Sequence, residues 1–215
     1  MLAIVMRRDS FADESAFLDA LSAELLDTGA ADPREPIEER TVEVLAAHLL
    51  GPGGEGLDRV RPHLGRHLEL WARLAGQSGI PLARACHADL LLLARDRDRA
   101  LDEFLDALDA DPTLVQFRSE FAELARERGG EAYMRYRMAC LRGALAGYRP
   151  DGEPELGDDD GDDDYVRELY GELLEDHRGD PDALTRIREL GGLIDQAVDR
   201  GELPRAIVRR GPRSQ

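Results

Sequence analysis

The chain has 215 residues, 42% of them apolar but only 5% aromatic, and a net charge of −17. That length buries a sizeable core without disulfide or metal staples, and a core drawn mostly from Leu, Ala and Val suits helix-on-helix packing. The charge opposes long-range attraction to duplex DNA and to anionic lipid, so neither nucleic acid nor membrane is an expected partner. All 28 basic residues are arginine, and asparagine is absent as well, the bias of a GC-rich, bacterial-type genome. Without lysine, Schiff-base chemistry, Walker-A phosphate loops and Ser-x-x-Lys nucleophiles are excluded. Two cysteines, Cys86 and Cys140, with no C-x-x-C spacing predict reduced, partly buried thiols and a cytoplasmic setting.

In chain order, the apolar start Leu2–Met6 stops at Arg7-Arg8, too short for a signal-peptide core. It predicts a short strand or a segment docked on helices. A first helix is expected over Ala12–Leu26, with Phe17, Leu18, Leu21, Leu25 and Leu26 on one face. A second, Ile37–Leu50, buries Val42, Val44, Leu45 and Leu49 and ends in Gly51-Pro52-Gly53-Gly54. A third, Leu57–Gln77, takes Pro62 in its first turns and presents Leu64, Leu68, Trp71 and Leu74.

The stretch from Pro81 to Leu114 is the most telling. Read as two helices, Leu82–Ala94 and Arg97–Leu108, it puts Ala100, Phe104 and Ala107 on one stripe of the second helix. Small residues there let a neighbouring helix approach closely, and Phe104 fills the remaining gap. Asp111-Pro112 then stops the helix. With Ala88, these residues follow small, small, aromatic, small and proline spacings, and the segment resembles one 34-residue tetratricopeptide repeat (TPR) unit. The family's aromatic and leucine positions in the first helix fall on Arg84, His87 and Leu91. The resemblance implies stacked helical hairpins that bind peptides or proteins, with the first helix, carrying Arg84 and His87, lining the groove.

Further helices are expected over Thr113–Arg128 and Glu131–Tyr148, separated by Gly129-Gly130. On the second of these, Arg135, Arg142 and Arg149 form one stripe. Tyr133, Tyr136, Cys140, Ala144 and Tyr148 lie opposite, and Arg137 falls among them, so it needs a carboxylate or backbone partner if buried. Pro150–Asp164 carries nine acidic residues and one leucine, too little apolar surface to offset ordering, and predicts a disordered acidic loop. Tyr165–Asp176 and Asp182–Asp199 read as a second hairpin turned at Gly179-Asp180-Pro181. Gly201–Ile207 resembles the start of a further second helix in the same repeat pattern, and the tail from Arg209 is expected to fray.

The expected architecture is therefore all-α, with nine or ten helices stacked as TPR-like antiparallel hairpins. It comprises a helical domain 1–149 containing the hairpin 81–114, an acidic linker 150–164 and a C-terminal hairpin 165–208.

Metal chemistry has one foothold. His63 and His67 at i and i+4 point to one side of a helix, half of a zinc or di-metal site that His48, Cys86 or His87 would complete. A calcium loop is excluded: with Gly161 at position six, Leu156 and Arg167 occupy the two essential ligand positions. No serine lies in G-x-S-x-G, and Cys86 and His87 diverge by about 100° on a helix. The expected function is a non-enzymatic scaffold or adaptor that needs no cofactor. It would bind another protein or peptide, one of acidic character, through Arg84, His87, Arg135, Arg142 and Arg149. Two alternatives come from other classes: a regulatory subunit that docks on an effector enzyme, and a metal-dependent helical bundle using His63 and His67.

Overall fold

The computed structural model describes residues 4, 10–31, 37, 39–50, 60–117, 119–145 and 161–199. Among them every regular element is helical: α1 (Glu14–Ala31), α2 (Glu39–Leu50), α3 (Leu64–Ser78), α4 (Pro81–Leu93), α5 (Arg97–Ala110), α6 (Ser119–Arg128), α7 (Gly130–Leu145), α8 (Gly161–Asp176) and α9 (Pro181–Asp199). Short 3₁₀ turns, Arg61–His63 and Pro112–Phe117, lead into α3 and towards α6. The fold class is all-α.

The chain divides into two compact units, Met1–Ala110 and Asp111–Gln215. In the second unit α7 packs against α6, α8 and α9, so the last two helices complete the core that α7 begins. The break has a local cause. Pro112 has no N–H to continue α5, and the Asp111 carboxylate accepts hydrogen bonds from the Thr113 backbone N–H (3.0 Å) and hydroxyl (2.7 Å), which winds the next residues tightly. The expected helix over Thr113–Arg128 is therefore a 3₁₀ turn followed by α6.

In the first unit, Phe17, Leu18 and Leu21 of α1 meet Val42, Leu45 and Leu49 of α2, Leu70, Trp71 and Leu74 of α3, and Ala83, Cys86 and Leu90 of α4 in one core. Ile4 packs at its edge. The rest of Leu2–Met6 lies outside the described residues. The start of α1 is fixed by Asp13, whose carboxylate accepts from the Ala16 N–H at 2.9 Å. The end of α3 is set by Gly79, held at φ +65°, a conformation that glycine adopts without a Cβ penalty. Pro81 then opens α4 where a missing N–H costs nothing. α4 packs against α2, α3 and α5. The small-and-aromatic stripe Ala88, Ala100, Phe104 and Ala107 is fully buried, as its spacing predicts.

The second unit centres on α7, whose Met134, Tyr136, Met138, Cys140 and Leu141 are buried, with Phe121 of α6, Val166, Leu169 and Leu173 of α8, and Ile187 and Ile194 of α9. The 3₁₀ turn packs on α7 at Gly143: a Cβ there would lie 3.0 Å from the Pro112 carbonyl oxygen. α8 begins at Gly161 rather than Tyr165, taking in the last four residues of the expected acidic loop. Asp180 caps α9 by accepting from the Asp182 and Ala183 N–H groups. Both cysteines are buried thiols outside any disulfide, Cys86 in the first unit and Cys140 in the second. The remainder of the acidic segment, the Gly201–Ile207 helix start and the tail lie outside the described residues.

Candidate functional site

The polar residues singled out by the sequence fall into three groups. The first lies on α1 and α3. His67 is 3% exposed, and its Nε2 sits 3.1 Å from Glu14 Oε1. Its neighbour Arg66 donates from Nη1 to the Ser15 carbonyl oxygen (3.2 Å) and hydroxyl (2.6 Å), and from Nη2 to Asp19. Successive residues of α3 thus grip the first turns of α1. His63 is only partly buried, and the His48 ring stands edge-on to Phe17 with centroids 5.8 Å apart. Among the described residues no three His, Cys, Asp or Glu side chains are grouped to hold a metal ion. Of the His63/His67 pair, His67 is the imidazole packed beside Glu14.

The second group spans α4 and α5. Arg84 reaches Glu103 (3.6 Å) and Asp106 (3.1 Å). His87, one turn on, is 3% exposed, with Nδ1 3.8 Å from the other oxygen of Glu103. Burial lowers the His87 pKa from its ordinary value; Glu103 pulls it back up and Arg99 adds to the lowering. His87, expected to line a groove, thus keeps almost no exposed surface. Arg84 keeps about two-fifths of its side chain exposed while binding α5.

The third group is on α7. Arg135 and Arg142 are half-buried, two turns apart on one stripe, and Arg149 lies outside the described residues. Arg137, on the apolar side, finds the carboxylate it requires: it donates to Glu172 of α8, and its guanidinium stands 5.8 Å from the Tyr133 ring centroid. Burial works against its charge, but the hydrogen bond and charge of Glu172, with Tyr133 and Cys140, outweigh it, so Arg137 holds its proton more tightly than an ordinary arginine. Arg186 of α9 donates to Glu131 of α7 at 2.8 Å.

Sequence reasoning located Arg137's need but missed Glu14, Glu103 and Glu172, the acids that answer the buried bases. They lie 53, 16 and 35 residues from their partners, and no local spacing announces such a pairing. No described helix is long and apolar enough to cross a membrane. Comparison with family models, with curated proteins and with solved structures finds no match to this chain.

Proposed function

We propose that the chain is a non-enzymatic protein-binding scaffold or adaptor of a bacterial-type cytoplasm, whose second unit engages an acidic peptide or protein surface. The observation that carries this reading is the pair Arg135 and Arg142, retained on one stripe of α7 with partial exposure. The histidines with general-base chemistry weigh the same way. His67 and His87 are buried beside Glu14 and Glu103 and serve helix packing, while Arg66 and Arg84 brace the same seams. The TPR-like spacing around Ala100, Phe104 and Ala107 supports a helical surface that holds other chains.

The charge balance adds a physical reason. The second unit has sixteen arginines against twenty-four acids, and nine of those acids fall within 151–164. Outside that stretch its charges nearly cancel, so guanidinium groups on α7 meet little long-range repulsion of an acidic partner from their own unit. Binding of a fluorescent poly-glutamate peptide in low salt tests the reading. The double variant Arg135→Glu/Arg142→Glu should weaken it by at least about tenfold, the equivalent of 1.4 kcal/mol. Equal affinity of the variant and the unaltered protein would overturn the assignment.

A further inference from the structure

His87 has a chemistry that the binding role does not use. It is a buried imidazole on α4, its Nδ1 makes no hydrogen bond, and the nearest acceptor, Glu103 on α5, stands at 3.8 Å. That carboxylate is shared, since its second oxygen lies 3.6 Å from the Arg84 guanidinium. Arg99, also on α5, places a second positive charge near the ring. The charged groups on the other helices packed against α4 are turned elsewhere. On α2, Arg40 pairs with Glu43, Glu39 is exposed and His48 packs on Phe17; on α3, Arg66 and His67 grip α1, and Glu69 and Arg73 are exposed. A proton arriving on His87 therefore creates a cation in a seam whose single facing carboxylate is already partly committed.

We infer that His87 is an acid-sensitive latch of the α4/α5 seam, neutral and packed at neutral pH and loosening the first unit when it is protonated in mild acid. The direction follows from linkage. Burial keeps the folded-state imidazole less basic than the unfolded one, so between the two titrations the unfolded chain binds more protons. The full stability is present above the unfolded value near 6.5 and drains away as pH falls from there to the folded value. Every pH unit separating the two titrations is tenfold in the folded-to-unfolded ratio.

The chain supplies its own reporter. Its one tryptophan, Trp71, lies in the core of the first unit, 1% exposed, whereas all five tyrosines lie in the second. Urea unfolding of the full chain followed by tryptophan emission at pH 7.5, 6.5 and 5.5 is the experiment. The folded-to-unfolded ratio of the first unit should fall severalfold across that range, and His87→Gln should flatten the fall. Glu103→Gln, which removes the acid that favours the charged ring, should steepen it, and this variant decides the matter if His87→Gln does not fold. A flat profile in the unaltered protein overturns the latch. So does a His87→Gln profile as steep as the original, or a Glu103→Gln profile no steeper.

Discussion

In residues 1–110 the buried bases beside carboxylates are imidazoles, His67 with Glu14 and His87 with Glu103; in residues 111–215 the comparable group is a guanidinium, Arg137 with Glu172. Four of the five histidines lie in the first unit. The difference is one of titration as much as of geometry. An imidazole changes charge near neutrality, whereas a guanidinium never does under physiological conditions. Two units of similar size and helical build therefore face the same solvent with different sensitivities, and the contrast can be probed one unit at a time.

The largest effect is expected from Phe104→Ala, which empties a fully buried position on α5. It should cost the first unit about 3–5 kcal/mol, read as a lower urea midpoint of tryptophan emission. Gly143→Ala probes the second unit in the opposite sense. Its Cβ would press on the Pro112 carbonyl at 3.0 Å and on Val115 at 3.3 Å, so even after the helix-propensity gain a loss of about 1–2 kcal/mol is expected in the tyrosine transition.

Arg137→Ala removes a largely buried guanidinium and its stem, but leaves Glu172, which is 61% exposed, free to take up water. A loss of about 1 kcal/mol is expected, unchanged between pH 7.5 and 5.5, and thermal melts at the two values check it. A marked pH dependence would erase the distinction between the units. The smallest effect belongs to Arg186→Ala. Its pair with Glu131 is exposed on both sides, and the change in stability should stay within about 0.5 kcal/mol and shrink further in salt.

Much of the helical layout was legible because it is written locally. The apolar repeat of α1 to α5, the Ser78-Gly79 stop, the proline that opens α4 and the Gly129-Gly130 break are all short-range signals, and the helices follow them except that α1 runs on past Leu26 to Ala31 and α3 starts at Leu64 rather than Leu57. The departures also have local causes. Pro62 and Pro112 each turned the start of an expected helix into 3₁₀ geometry, since a residue without a backbone donor leaves the first turn tighter. The candidate site was less legible. A histidine pair at i and i+4 looks the same in sequence whether it awaits a metal or a glutamate from another helix, and only packing distinguishes the two. The resemblance puts His87 on a groove-lining helix, and its burial beside Glu103 of α5 depends on packing that no local spacing announces. Arg137 was the exception, because a charge on an apolar stripe demands a counter-charge whatever the tertiary fold.

The placement of Cys86 in one unit and Cys140 in the other has a practical consequence. A sealed thiol is alkylated only when its surroundings open, and the rate at which a reagent captures it counts those openings. With one sulfur inside each unit, a single time course of alkylation read by peptide mass spectrometry gives a stopwatch for each unit under native conditions. Acidifying the buffer should then quicken the Cys86 clock more than the Cys140 one.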